Sequence, residues 1–119
     1  MVNKSKIKGT SAESAIVTAL VEEGWIHAER RALAGSADRG DINMGGFPVV
    51  IESKNCATIS VSSWLRETAV EKANARAEVA ACWFKLRGKG DPRDWAVVMT
   101  GSEFMALLKA AGYHPEAGR

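Results

Sequence analysis

The sequence predicts a single α/β domain in which a mixed central sheet is flanked by helices. Apolar residues recur at helical spacing in residues 10–23 and 61–80. Between these two segments, residues 41–54 form a strand-turn-strand pattern around a Gly-Gly pair. Two short apolar runs, residues 81–86 and 95–100, follow the second helix. With one strand before the hairpin and one helix at the end, the predicted order is α-β-β-β-α-β-β-α.

Length and composition limit the possible functions. The 119 residues are enough for one hydrophobic core and too few for two. Because the formal net charge is only +2, a nucleic-acid surface would have to come from clustered basic residues. No apolar run approaches the roughly 18 residues of a membrane span, and no signal peptide is evident. We therefore expect a cytoplasmic protein with no membrane partner, whose Cys56 and Cys82 are small buried or half-buried thiols without a disulfide.

The first half of the chain is predicted from its start and stop signals. Residues 1–9 carry three lysines without an apolar stripe, which predicts a flexible basic arm that either contacts phosphates or only solubilises the chain. Thr10 begins a helix that runs to about Glu23 and ends at Gly24. Residues 25–33 form the next strand.

The second half begins with a long helix from about Val61 to Ala80. Its charged residues are expected to form a solvated face: Glu67, Glu71, Lys72, Arg76 and Glu78. A glycine-rich basic loop, residues 87–93, separates the last two strands. The final helix, Glu103 to Ala111, is expected to pack Phe104, Leu107 and Leu108 inward, and residues 113–119 form a frayed tail.

The hairpin carries an unusual cluster of charge. If Gly45 and Gly46 are the turn residues, Asp41 lies opposite Val50. Because strand side chains alternate, Asp41 then shares a face with Glu52 and Lys54. An apolar run that ends abruptly in Glu-Ser-Lys is unusual for a structural strand, since charge at the end of a buried run must be paired or used.

These residue types suit metal-dependent cleavage of phosphodiester bonds. Asp41 and Glu52 can hold Mg²⁺, which prefers oxygen ligands. Such an ion polarises a phosphate and lowers the pKa of a bound water, and Lys54 can orient that water. The structural alternative is a salt-bridge cluster at the end of a strand.

Asp41 and the Glu52-Ser53-Lys54 run, on a hairpin after an N-terminal helix, resemble the PD-(D/E)XK nuclease superfamily. Residues 9–20, GTSAESAIVTAL, are similar to the first helix of the archaeal-type Holliday junction resolvases, which occur in archaea and bacteriophages. The resemblance covers roughly residues 8–110. It implies a restriction-endonuclease-like core, α-β-β-β-α-β, with an additional strand and a C-terminal helix. Gly40 departs from the pattern, which often has proline before its first acidic residue.

The resemblance also implies roles for individual residues. The metal ligands would be Asp41, Glu52, the backbone carbonyl of Ser53, and Glu13 from the first helix. Glu13 has a second interpretation, because T-x-x-E starting at Thr10 is also a capping box, and both roles stay open. Two further catalytic residues are implied, Arg31 and Ser36. Neighbouring strand residues face opposite ways, so only one of Arg30 and Arg31 can face the site.

The implied function is a Mg²⁺-dependent endonuclease, with Mn²⁺ as substitute, that cleaves branched DNA such as four-way junctions during recombination and repair. A homodimer would supply two equivalent sites for paired cuts. If the chain is viral, its location would be the host cytoplasm. DNA contacts through phosphates are expected from basic residues of the arm, the first strand and the glycine-rich loop: Lys4, Lys6, Lys8, Arg30, Arg31, Arg87, Lys89 and Arg93. Candidates for the dimer interface are Trp64, Leu65, Trp83 and Trp95.

Two alternatives remain. The first is a nuclease of the same fold that acts on other DNA, as a nickase, an end-processing enzyme or a restriction-like enzyme. The second is a DNA-binding subunit of this fold without catalytic activity, because fold does not determine substrate.

Overall fold

The computed structural model of the chain describes residues 4–31 and 40–118, with side chains over residues 8–31 and 40–116. Within these residues, helices and strands follow the predicted order. The helices are α1 (Lys4–Glu22), α2 (Val61–Ala75) and α3 (Gly101–Ala110). The strands are β1 (Glu29–Arg30), β2 (Ile42–Asn43), β3 (Val49–Lys54), β4 (Val79–Phe84) and β5 (Ala96–Val98). Short 3-10 helices cover Pro92–Asp94 and Pro115–Gly118, and the latter lies in the tail expected to fray.

The five strands form one mixed sheet in the order β1-β2-β3-β4-β5. Strands β3 and β4 run parallel, and the other neighbouring pairs are antiparallel. Parallel neighbours need a crossover connection, which α2 provides. The predicted α/β class, with helices flanking a mixed sheet, is therefore confirmed. Among the described residues, no helix has the length and apolar character needed to cross a membrane.

The sheet has a buried cluster on each face. On the α1 face, Ile16 packs with Ile42 and Ile51. On the α2 face, Trp64 packs with Cys82 and Phe84, and the Trp64 and Phe84 ring centroids are 5.2 Å apart. Because β3 alternates, the neighbours of Ile51 point toward α2, and Glu52 is one of them. The fold thus directs a carboxylate toward α2.

The hairpin register differs from the predicted one by two residues. Ile42 pairs with Ile51 and Asn43 with Val50, so the next pair outward is Asp41 with Glu52. The connection is longer than expected because it includes Phe47 and Pro48, and proline has no N–H to donate to a ladder. A shift of two residues preserves the face of every side chain. Asp41 therefore keeps its predicted face and moves from opposite Val50 to opposite Glu52.

Helix α1 begins at Lys4 rather than at Thr10. The predicted arm is therefore wrong for residues 4–9, which are helical. This segment contains no proline, and its lysines are good helix formers. The side-chain amide of Asn55 donates to the backbone oxygen of Lys8 at 3.4 Å and attaches this turn to the loop after β3. Because Thr10 lies inside the helix, the capping-box interpretation of Glu13 is also wrong.

Two predicted elements are too long. The first strand covers only Glu29–Arg30, because residues 25–28 fold into turns in which Trp25 N–H donates to Leu20 O at 2.9 Å. Helix α2 ends at Ala75 because Arg76 adopts a left-handed conformation with φ 53°. Strand β4 then starts earlier than predicted, at Val79.

Helix α3 does not pack Phe104 and Leu107 inward as predicted. Their exposed fractions are 52% and 39%, and no residue of this helix is buried. The helix is instead attached through Glu103, whose carboxylate accepts from Lys72 Nζ at 2.6 Å and from Ala80 N at 3.0 Å. Leu108, the third residue predicted to pack inward, is half-buried, so an ion pair and a backbone hydrogen bond supplement a reduced apolar contact.

The tryptophans suggested for a dimer interface belong to the core of this chain. Trp64 and Trp95 are both buried. Trp83 packs against the α1-face cluster, and its indole N–H donates to Pro92 O at 2.9 Å. Large rings fill the small core more effectively than aliphatic side chains would. Both cysteines are free, as predicted, but Cys56 is exposed while Cys82 is buried.

Candidate metal centre

Strand β3 carries Glu52 into the interior, where its exposed fraction is only 4%. Burial raises the pKa of this carboxyl far above its ordinary value. Hydrogen-bonding contact with the carboxyl groups of Asp41 and Glu71, and the charges of those groups, raise the pKa further. Three acidic side chains from β3, the hairpin and α2 thus converge at one buried point.

Asp41 is fixed to β3 by two hydrogen bonds. Its backbone N–H donates to Ile51 O at 3.0 Å, and its Oδ2 accepts from Ser53 N at 2.8 Å. The preceding Gly40 has φ +91°, and a Cβ at this position would lie 2.9 Å from Val50 Cγ1 and 3.7 Å from Glu71 Oε2. Only glycine tolerates both the conformation and the close approach. Gly40 therefore allows the chain to place Asp41 against Glu52.

Helix α2 contributes Glu67 and Glu71, which are four residues apart and so lie on one helix face. One carboxylate oxygen each from Glu52, Glu67 and Glu71 lie within 4.8 Å of one another. We call these three residues and Asp41 the acidic cluster. Oxygens that bind one divalent ion lie within about 4–5 Å of each other, so the described geometry could hold a metal ion.

The solvated position predicted for Glu71 is wrong, because the exposed fraction of this residue is 1%. Two signals in the sequence indicate its position. Trp64, Thr68 and Glu71 follow the i, i+4, i+7 spacing of a buried stripe, and all three are buried. The Glu67–Glu71 pair is also a like-charge i, i+4 pair, which destabilises a purely structural helix.

Lys54 lies beside the acidic cluster. Its ammonium nitrogen is 2.8 Å from Glu67 Oε2. Burial of Lys54 opposes its charge, but the hydrogen bond to Glu67 and the nearby acidic side chains outweigh burial and raise the pKa of Lys54. The lysine is therefore held in its charged form.

Glu13 and Arg30 form an ion pair with an Nε–Oε2 distance of 3.0 Å, which joins α1 to β1. Neither Glu13 nor Asp41 belongs to the group of three acids, Glu52, Glu67 and Glu71, that could hold a metal. The ligand roles of Glu13 and Asp41 therefore stay predictions. Arg31 lies next to Asp41, since its backbone N–H donates to Asp41 O at 2.7 Å. Its Nε is buried, with no acceptor among the described residues. Ser36 lies outside the described residues.

The expected DNA contacts divide into separate groups. The guanidinium of Arg93 contacts three carboxylates, those of Glu22, Glu23 and Asp91, at 2.9, 2.9 and 3.1 Å. Like Arg30, Arg93 forms ion pairs between separate elements of the fold, so its charge already has carboxylate partners. Lys8 and Arg87 line one cavity, whereas the exposed Lys89 does not line it. The side chains of Lys4 and Lys6 lie outside those described.

No protein-family model, no curated protein and no solved structure matches the chain. Buried carboxylates that repel one another reduce the stability of a fold, while a hard divalent cation would offset their charge. The acidic cluster, with Lys54 at its edge, thus has the donor chemistry of a metal centre.

Proposed function

We propose that the protein is a Mg²⁺-dependent endodeoxyribonuclease that cleaves phosphodiester bonds in branched DNA. The observation that carries the proposal is the buried Glu52 carboxyl, which meets Asp41 and Glu71 two residues before the charged Lys54. A structural ion-pair network would alternate opposite charges, whereas this site concentrates acidic groups and has one lysine at its edge. That distribution favours a cation-binding catalytic centre over a salt-bridge cluster.

In this proposal, Asp41, Glu52 and Glu71 hold the ion, and Glu13 and the backbone carbonyl of Ser53 are further candidate ligands. When bound there, Mg²⁺ or Mn²⁺ would offset charge on the scissile phosphate and make a bound water more acidic. Lys54 directs its charge and hydrogen-bond donors at the reacting phosphate and the attacking water. Glu67 fixes the Lys54 ammonium by the 2.8 Å contact.

Arg31, the residue after β1, supports the same site. Its backbone N–H donates to Asp41 O at 2.7 Å, and its buried Nε has no acceptor among the described residues. Ser36 is proposed as a further catalytic residue from the segment before Asp41. The core is proposed to be restriction-endonuclease-like, with β5 and α3 as the additional elements.

A four-way junction is the proposed substrate, and a homodimer in the cytoplasm is the proposed form. A symmetric junction needs two paired cuts, which a two-fold dimer supplies with two equivalent sites. Sedimentation of the protein at micromolar concentration measures this directly. A species of one chain only, both with and without DNA, would contradict the paired-cut proposal.

The test incubates labelled four-way junction, fork, duplex and single strand with the protein, in Mg²⁺ or in EDTA. We expect the junction to be cut in Mg²⁺ only. The variant Lys54→Ala should cut at least about 100-fold more slowly, as expected for loss of a preorganised charge, while its binding to the junction in EDTA changes little. Lys109→Ala, which removes an exposed lysine of α3, is the matched control.

Each other outcome has a definite meaning. Cleavage by Lys54→Ala at the wild-type rate would show that the central residue is wrong. If fork, duplex or single strand is cut faster than the junction, the protein is still a nuclease, but its preferred substrate is that other DNA structure. Binding of DNA without cleavage by the wild type would favour a non-catalytic DNA-binding subunit.

A further inference from the structure

A groove runs outside the carboxyl ends of the parallel strands β3 and β4. It consists of two adjoining cavities, of about 430 and 540 Å³, which share Lys8 and residues 55–57 in their walls. The smaller cavity reaches Lys54, and the larger one reaches residues 85–88. In open α/β sheets, ligands bind in the crevice beyond the carboxyl ends of the strands. We call this feature the basic groove.

Positive charge dominates the basic groove. Its charged lining residues are Lys8, Lys54, Lys85 and Arg87, and no acidic residue is among the described residues that line it. Lys54 is paired with Glu67, whereas Lys8, Lys85 and Arg87 have no carboxylate partner in the described part of the chain. The unpaired cations of the groove are therefore available to an anionic ligand.

Hydrogen bonds fix the walls of the groove. The backbone N–H of Lys85 donates to Lys54 O at 3.0 Å, which joins the ends of β3 and β4. Asn55 connects the loop after β3 to the Lys8 turn of α1. The ammonium of Lys85 lies 5.8 Å from the centroid of the Trp95 ring, a cation–π contact that orients this side chain. The backbone of the groove wall and the charge of Lys85 are thus held in place before a ligand arrives.

We propose that the basic groove binds the sugar–phosphate backbone of a DNA strand on one side of the scissile phosphate. Lys8, Lys85 and Arg87 would each contact phosphate oxygens, and Lys54 marks the position where the groove meets the acidic cluster. The inference rests on the proposed nuclease function, and it identifies how the substrate strand approaches the site. Among the described lining residues none is aromatic, so the groove offers no platform for base stacking. Binding should therefore be independent of base sequence.

Cys56 gives a direct test, because its exposed thiol lies in the groove wall. The other cysteine, Cys82, is buried, and burial raises its pKa to about 12, so it should not react with N-ethylmaleimide. In EDTA, a DNA strand at ten times its dissociation constant should slow modification of Cys56 about tenfold. High salt should restore the rate, and Cys56→Ser should show no fast reaction. Bound DNA that leaves the Cys56 rate unchanged would overturn the proposal.

Charge removal gives the second test. Arg87→Gln and Lys85→Gln should each reduce the slope of log K against log salt by about 0.7 to 0.9, the value for one lost phosphate contact. Lys109→Gln, which loses the same charge outside the groove, should leave the slope unchanged. Equal losses in all three variants would show that the groove is not the binding surface. Two oligonucleotides of different sequence should bind with equal affinity. A strong preference for one of them would contradict binding through the sugar–phosphate backbone alone.

The failure of this inference can be distinguished from failure of the proposed function. If DNA protects Cys56 but is not cleaved in Mg²⁺, the groove is a DNA-binding site and the proposed nuclease activity is wrong. If DNA is cleaved but does not protect Cys56, the nuclease activity stands and the groove is not the binding site. The absence of any DNA binding would overturn the groove as a DNA site.

Discussion

The acidic cluster and the basic groove lie on either side of Lys54 and differ in their effect on the stability of the fold. Glu52 and Glu71 are buried next to other carboxyl groups, which is energetically unfavourable without a counter-charge. The cations of the groove are largely exposed to water, where an unpaired charge costs little. A buried like-charge cluster therefore suggests a bound counter-charge, whereas an exposed basic surface needs independent support.

The same difference predicts opposite effects of substitution. Neutralising a residue of the acidic cluster should reduce activity and leave the metal-free protein as stable as before or more stable, as at other functional sites. Neutralising Lys8, Lys85 or Arg87 of the groove should weaken DNA binding and leave the free energy of unfolding nearly unchanged.

The largest effect in this comparison is expected for Glu71→Gln. The substitution retains size and hydrogen-bonding capacity but removes a negative charge from the buried site. The cleavage rate should fall about 10- to 100-fold, as it does when a group that holds or orients a metal ligand is lost. The melting temperature should not fall. Glu78→Gln is the matched control, because this glutamate is exposed and precedes β4. Equal activity of the two variants in a single-turnover assay would remove Glu71 from the site.

Glu13→Gln tests whether the site extends to α1. We expect a smaller loss of cleavage than for Glu71→Gln, because Glu13 pairs with Arg30 and lies outside the group of three acids. The free energy of unfolding should change by no more than about 1 kcal/mol, the usual worth of a partly exposed ion pair. Denaturant unfolding and single-turnover cleavage measure the two effects. Unchanged cleavage would restrict the site to the hairpin and α2.

The pH dependence of stability gives a third, smaller effect. The native pKa of Glu52 is raised, so the metal-free native state retains a proton that the unfolded chain loses above about pH 4.5. The stability linked to this proton is fully present below that pH and decreases as pH rises, by at most about 1.4 kcal/mol per pH unit. Glu52→Gln lacks this proton equilibrium. In EDTA, the variant should gain stability relative to the wild type between pH 5 and pH 8, and a constant difference would contradict the assigned environment of Glu52.

The sequence predicted the parts of the site that depend on strand alternation. Asp41, Glu52 and Lys54 share a face although the hairpin register was wrong by two residues, because a shift of two preserves sidedness. It did not predict the buried position of Glu71, since glutamate on a helix is ordinarily solvated and only tertiary packing places it against Glu52.

The order of helices and strands was also predictable from the sequence, whereas the residues at which these elements begin and end were not. The order of elements follows from apolar periodicity, which local sequence contains. The first turns of α1, which precede the predicted start, are attached by a hydrogen bond from Asn55 to Lys8, 47 residues apart in the chain. The exposed apolar side of α3 depends on how Glu103 attaches that helix to α2 and β4. Contacts between distant residues are not visible in a local pattern.

The most direct test of the central claim is the effect of Mg²⁺ on the melting temperature of the wild type and of Glu52→Gln at pH 8. A ligand that binds only the native state stabilises it by about 2.7 kcal/mol at 100 times its dissociation constant. If the acidic cluster binds Mg²⁺, the melting temperature of the wild type rises with Mg²⁺ concentration and that of the variant rises little or not at all. No rise in the wild type, or an equal rise in both proteins, would contradict a metal centre at the acidic cluster.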